Sequence, residues 1–350
     1  MGNDIISAVL VGCGAVSRFF YGPALLDLQS RGILTVEALV DPSAPNRQPL
    51  AELFPQARQY SRLEEAELRS RLVIIATPPK FHAQAAIHAM QSGAAVLCEK
   101  PMASSIDEAQ AMIDTARATQ SLLAVGLYKR FFPACENLKG ILERQPLGRL
   151  KKFTIEEGGK FGWQAASDSF FRKSETPGGV LLDIGVHVLD LLLWWLGEPG
   201  TVDYEDDALG GQEANCRIGL TYRDGVHGEV RLSRDWSTRY EYRFEFERGQ
   251  IRYHVNEANR LEIIVDGMPS LLDGSLRDPG SHRIERTNPQ SFIQQIVNVT
   301  AAMRGREPLK VPGEEGIRSL RLIGHCYAHR RLMEMPWLTA TEIAAAQCRP

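Results

Sequence analysis

"VLVGCGAVS", residues Val9 to Ser17, is an apolar run that breaks into Gly12-x-Gly14-x-x-Ser17. A buried strand ending in closely spaced glycines suits a dinucleotide. The glycines let backbone N–H groups and the start of the next helix approach a pyrophosphate. Glycines at this spacing also arise by chance, and Ser17 stands where the pattern usually has a third Gly or Ala. The context decides. "VEALVD" follows as a second strand ending at Asp41, whose carboxylate can accept the adenosine ribose hydroxyls and would repel a 2′-phosphate. The expected contacts are Gly12, Cys13, Gly14, Ala15 and Val16 at the turn and Asp41 at the ribose. The expected cofactor is NAD, with NADP kept open because Arg47 lies close by in sequence.

Further along, "LVIIATP", "AAVLCEKP" and "LLAVGLYKR" are apolar runs separated by the amphipathic patterns "HAQAAIHAMQSG" and "SIDEAQAMIDTARATQ". Continuous apolar strands alternating with helices predict a parallel sheet covered on both faces, a doubly wound Rossmann unit over residues 1–127. Ser104 or Ser105 is the expected cap of the second helix. After Leu127 the texture changes. A helix is expected over Pro133–Glu143 and a strand over Lys151–Glu157. From Glu213 to Val265 apolar and polar residues alternate, with hairpin turns at Asp224-Gly225 and Arg248-Gly249. Residues 128–350 therefore read as an α+β domain with a largely antiparallel open sheet. Helices over Pro289–Met303 and Glu314–Met335 close the chain, and Gly267–Thr287 reads as a mobile loop.

Composition excludes several classes. The chain has 350 residues, a formal charge of −3 and no run of Lys or Arg, so a nucleic-acid partner is not expected. The six cysteines are far apart and include no CxxC pair, which argues against a disulfide framework or a zinc cluster and for a reducing compartment. "MGNDIISAVLVGCG" lacks the features of a signal peptide, and "LLLWWL" is too short to span a bilayer. The expected location is cytoplasmic.

"GGVLLDIGVHVLDLLLWWLG", Gly178 to Gly197, places Asp183, His187 and Asp190 in an otherwise apolar run. On a helix their spacing puts them within about 40° of one another, a narrow polar stripe. Burying ionisable groups there costs several kcal/mol unless they are paired or line a cavity, so the stripe is expected to face one. A divalent-metal site or a buried structural network would use the same residues.

At "ATPPKFH" (Ala76–His82) and "CEKPM" (Cys98–Met102), together with "GLYKRFFP" and the "GGVLLDIGVHVLD" run, the sequence resembles the Gfo/Idh/MocA family of sugar and polyol oxidoreductases. The resemblance implies a Rossmann domain followed by an open-sheet domain whose outer face makes a homodimer or homotetramer. It places Ala76, Thr77, Pro78, His82, Glu99 and Lys100 along the cofactor, although His82 suits a packing role equally well. It makes Lys100, Asp183 and His187 the catalytic set. Lys100 would hold developing negative charge, His187 would exchange the proton, and Asp183 would orient the ring or a sugar hydroxyl. Lys100, Asp183 and His187 would also touch the substrate, joined by Arg130, Trp163 and Arg172, and no metal is implied. The implied activity is hydride transfer between nicotinamide and a secondary alcohol or ketone of a sugar, polyol or nucleotide-linked sugar. A glycosidase working by transient oxidation with retained NAD, and a non-enzymatic NAD-binding regulator, are the alternatives.

Overall fold

The computed structural model describes residues 5–160, 162, 176, 178–274, 290–335 and 339–347. Of these, residues 5–131 and 290–320 form one compact unit, and 132–274 and 321–347 the other.

The first unit holds six strands: β1 (Ile6–Val11), β2 (Leu34–Val40), β3 (Arg58–Tyr60), β4 (Leu72–Ile75), β5 (Ala95–Cys98) and β6 (Leu123–Val125). All pair in parallel, in the order β3-β2-β1-β4-β5-β6. The central strands β4 and β5, and β1 from Ala8 on, are apolar throughout because α1 (Gly22–Ser30), α2 (Ala44–Leu53), α3 (His82–Gln91) and α4 (Ile106–Thr119) cover the sheet. Strand order reverses between β1 and β4, and ligands of such sheets sit at the carboxyl ends of the strands flanking that reversal. At the start of α4, Ser105 Oγ accepts the Glu108 N–H at 3.2 Å while the Glu108 carboxylate accepts the Ser104 N–H at 3.0 Å.

In the second unit α5 (Pro133–Arg144) and α6 (Val186–Leu196) pack together, and α5 also packs on the sheet. Its strands are β7 (Leu150–Gly158), β8 (Thr201–Asp206), β9 (Asn215–Thr221), β10 (His227–Ser233), β11 (Glu241–Phe246), β12 (Gly249–His254), β13 (Arg260–Val265), β14 (Met268–Asp273) and β15 (Arg331–Leu332). They are ordered β14-β13-β12-β11-β7-β10-β9-β8-β15. Pairing is antiparallel except for β7 with β10 and β8 with β15. Alternate residues such as Phe153, Val230, Tyr242, Phe244 and Ile251 point to the buried side. There Trp195 of α6 meets Tyr242 and Phe244 edge-on. The other face carries cross-strand ion pairs, with Arg217 between Glu205 and Glu229 and Arg252 against Glu262. Each such exposed pair adds only a few tenths of a kcal/mol to about 1 kcal/mol, so the buried face supplies the stability.

Three details depart from the sequence reading. Met268–Asp273, expected to be loop, is strand β14. It is an edge strand, which is where Pro269 can be tolerated in a sheet. The last long helix, α8 (Gly313–Ala328), stops short of Met335, and Arg331–Leu332 instead pairs with β8. A further helix, α9 (Ala340–Gln347), follows it. The helix preceding α8, α7 (Gln290–Met303), returns to the first unit: Phe292 stacks between Phe20 and Tyr128 at ring separations of 4.9 and 5.1 Å. Trp163 and Arg172 lie outside the described residues. Among the described residues no helix is long and apolar enough to cross a membrane.

Cys13, Cys98, Cys135, Cys216 and Cys326 are buried free thiols. Burial pushes Cys13 up to about 12, with the nearby Asp41 charge adding to the effect, and burial likewise pushes Cys326 up to about 12. Since the thiolate is the reactive form, a maleimide at pH 8 should label at most one of the six cysteines rapidly in the native protein and all six after denaturation. Rapid native labelling of two or more, counted by mass spectrometry, would contradict this packing.

Candidate functional site

The glycine turn is built by close backbone approach. Gly12 has φ +87°, and a Cβ there would lie 2.6 Å from the Ala76 carbonyl carbon and 2.7 Å from the Thr77 nitrogen. Only glycine suits that position. The turn is tied to β2 by the Gly12 N–H on the Val40 carbonyl at 2.8 Å, and Ala76 to β1 by its N–H on the Val11 carbonyl at 2.7 Å. Thus Gly12 and the Ala76-Thr77 pair, distant in sequence, meet at the sheet's reversal point. Ser17, in place of the third glycine, is fully buried and donates its hydroxyl to the Gly12 carbonyl, fastening the turn to the helix that follows.

Asp41 is fixed by the same turn. One carboxylate oxygen accepts the Cys13 N–H at 2.8 Å and the other the Ser43 N–H at 2.8 Å. A carboxylate has about four acceptor positions, so capacity remains for ribose hydroxyls. Arg47 turns its guanidinium to the Asp41 main-chain carbonyl and to Gln59. Two observations fit a dinucleotide here. A Cβ on Gly14 would project into open space, and Thr77 Oγ1 is buried with no hydrogen-bond partner.

Glu99 and Lys100 end β5. Glu99 is buried, accepts the Tyr21 hydroxyl at 2.7 Å on one oxygen, and accepts the Lys100 N–H at 3.0 Å on the other. Burial pushes its pKa up, while Tyr21 and the Lys100 charge pull it down. Gln295 of α7 donates to the Tyr21 oxygen at 3.3 Å, extending the network to the returning helix. His82 is buried with both ring nitrogens on backbone carbonyls, Thr77 at 2.7 Å and Pro101 at 2.9 Å. Its ring therefore braces the loops after β4 and β5. Burial lowers its pKa against the raising effect of those carbonyls. Pro78 lies exposed in the same loop, and Ala15 and Val16 are half-buried at the start of the π-helical turn Ser17–Tyr21.

In the second unit the polar stripe begins in a π-helical turn, Leu181–Gly185, that runs into α6. Such turns widen a helix locally and are frequent at functional sites. Exposure falls along the stripe, with the Asp183 side chain 21% exposed, His187 5% and Asp190 1%. Only the Asp183 end approaches an open surface. Asp183 pairs with Arg234 at 3.3 Å, a buried residue just past β10. Among the described residues no group of three His, Cys, Asp or Glu side chains is placed to hold a metal.

Arg130, read as a substrate contact, is buried and paired with Glu315 of α8 at 3.0 Å. Burial alone would raise the Glu315 pKa, but Arg130 and Arg318 hold it below the usual value. Two participants escaped the sequence reading, Arg234 and Glu213. Arg234 pairs with Asp183 and Glu213 receives the Gly179 and Leu181 N–H groups, each from more than thirty residues away, and nothing in their local sequence announces that.

Two family models match the chain: "Oxidoreductase family, NAD-binding Rossmann fold" over residues 6–127 and "GFO/IDH/MocA C-terminal domain" over residues 135–252. The D-glucoside 3-dehydrogenase of Escherichia coli is 30% identical over 204 residues, covering 57% of this chain and 56% of that protein. The glucose-6-phosphate 3-dehydrogenase of Bacillus subtilis is 27% identical over 196 residues, covering 54% and 53%. The chain thus spans about half the length of these curated relatives. Among solved structures, the WlbA dehydrogenase of Bordetella pertussis in complex with NADH and UDP-GlcNAcA superposes with a TM-score of 0.78 at 22% identity, covering 94% of this chain and 96% of that one.

Asp41→Ala should remove the ribose acceptor and weaken NAD binding by about tenfold or more while narrowing its preference over NADP, measured by fluorescence titration of both cofactors. Unchanged discrimination would remove Asp41 from the ribose site. Arg234→Met should destabilise the protein by about 2 kcal/mol, between the values for exposed and fully buried ion pairs. In a urea-unfolding cycle with Asp183→Asn the two losses should not add, because they share one interaction.

Proposed function

The chain belongs to the Gfo/Idh/MocA family, and on that premise we propose that it is an NAD-dependent dehydrogenase or reductase acting on a secondary alcohol or ketone of a sugar, polyol or nucleotide-linked sugar. The observation that carries the reading is the start of the α6 segment. It holds a nearly buried imidazole one turn from an ion-paired carboxylate, at the one end of the stripe that approaches open surface. The glycine turn and the Asp41 acceptor support the cofactor half of the reading. Named sugar dehydrogenases among the relatives support the substrate class.

Bound NAD supplies the acceptor for the hydride that leaves the carbinol carbon, and NADH the donor in reverse. The residues of the chain handle the rest. His187 takes the proton from the substrate hydroxyl as the carbon is oxidised and returns it on reduction. The Lys100 ammonium donates to the reacting oxygen and stabilises its negative charge when that charge is greatest. Asp183, held by Arg234, accepts a hydrogen bond from a neighbouring hydroxyl or from the imidazole and fixes the angle of proton transfer. Glu99, His82 and Tyr21 act through the backbone that carries Lys100 and Thr77. Self-association through the second unit's sheet belongs to the same reading. Its edge strand β14 leaves Met268 and Leu271 exposed, an apolar edge that a second copy would cover.

The test is NADH absorbance across sugars, keto-sugars and nucleotide sugars. His187→Ala and Lys100→Ala should each lower kcat by about 10²–10⁴-fold, and the double variant should lose little more than the worse single, as groups serving one step do. Turnover that survives both substitutions would end the proposal.

A further inference from the structure

We propose that Glu213 and Tyr327 are positioning residues for Asp183 and His187, a buried cap that sets where the catalytic helix begins. The kinetic part of its test rests on the dehydrogenase reading above, while the geometry does not.

Glu213 lies in the turn before β9 and is buried. One carboxylate oxygen accepts the N–H of Gly179 at 2.9 Å, the N–H of Leu181 at 3.0 Å and the hydroxyl of Tyr327 at 2.8 Å. The other oxygen lies 3.0 Å from the same Gly179 N–H. The main-chain carbonyl of Glu213 takes the intervening N–H of Val180 at 3.0 Å. The N–H groups of residues 179, 180 and 181, orphans at any helix start, are thus all received by one residue more than thirty positions downstream. The helix start has no side-chain cap of its own at Val180. A negative charge at this end also suits the helix dipole.

The two glycines that open the segment belong to the same device. A Cβ on Gly179 would lie 2.0 Å from the Glu213 carbonyl oxygen, and one on Gly178 would lie 2.2 Å from the Tyr327 hydroxyl. Burial pushes the Glu213 pKa up, while the Tyr327, Leu181 and Gly179 bonds pull it down. Every partner named on its carboxylate is a donor, so those contacts favour the ionised form. The cap reaches Asp183 through the backbone. The Asp183 N–H bonds to the Gly179 carbonyl at 3.1 Å, and the π turn Leu181–Gly185 runs from there into α6, which carries His187.

The experiment uses the full chain with Tyr327→Phe and Glu213→Gln. Tyr327→Phe keeps the ring and its edge contact with Tyr204 and removes one hydrogen bond. Glu213→Gln removes the charge and turns one acceptor into a donor. Three measurements decide. They are kcat and KM for the best sugar, NADH affinity by fluorescence, and the His187 imidazole NMR signal, assigned by its loss in His187→Gln. We expect Glu213→Gln to lower kcat about tenfold or more and Tyr327→Phe by less, with sugar KM and NADH affinity within about twofold and the His187 signal displaced in both. Unchanged kcat with an unmoved His187 signal in folded variants would overturn the cap. So would a kcat loss matched by an equal loss of NADH-binding sites, which would mean unfolding alone. If the wild type neither oxidises nor reduces any compound of the sugar, keto-sugar and nucleotide-sugar panel, the dehydrogenase reading fails and the His187 signal by itself decides the cap.

Discussion

Three buried carboxylates, Asp41, Glu99 and Glu213, hold the functional segments by accepting backbone N–H groups, Asp41 and Glu213 from distant segments of their own units and Glu99 from its neighbour Lys100. Asp41 receives Cys13 and Ser43; Glu99 receives Lys100; Glu213 receives Gly179 and Leu181. A carboxylate withdrawn from water without donors would cost several kcal/mol, so each of these segments is required to present its N–H groups at a set place and angle. Hydroxyls complete two of the sites, Tyr21 on Glu99 and Tyr327 on Glu213. Loops held this way have little freedom to rearrange, which suits groups whose task depends on position.

The carboxylates need room, and glycine gives it. The Glu213 carboxyl carbon lies 2.8 Å from where a Cβ on Gly179 would be, and the Glu99 carboxyl lies 2.9 Å from where a Cβ on Gly126 would be. In the first unit the close approach is backbone on backbone, Gly12 against Ala76. What reads in the sequence as flexible glycine is, at these places, the condition for a rigid contact.

This explains what the sequence discloses. The parallel sheet was legible because burial on both faces leaves unbroken apolar runs in β1, β4 and β5, a signal carried within each strand. The Gly12 turn and Asp41 were legible because each follows its strand directly. The stripe of Asp183, His187 and Asp190 was legible from helical spacing, though not the π turn in which Asp183 sits. Partners brought together through space were not legible. Arg234, Glu213, Tyr327 and Gln295 carry no local mark, and the return of α7 to the first unit depends on Phe292 finding Phe20 and Tyr128. Strand β14 was hidden by Pro269, which argues against a central strand but not against an edge.

The apolar run from Val180 to Leu196 looks a poor home for two acids and an imidazole, and the gradient of burial along it resolves the conflict. Leucines, valines and Trp195 surround the helix almost completely, each buried leucine contributing about 2 kcal/mol to keep it seated. A seat so tight leaves the helix no alternative register, and so fixes the direction of His187 more firmly than an exposed helix could. At the start of the segment Glu213 receives the first N–H groups and Arg234 pairs with Asp183. Burial that penalises charge is therefore also what holds the charged groups in register. A chain that placed the same three residues on a solvated helix would aim them less well.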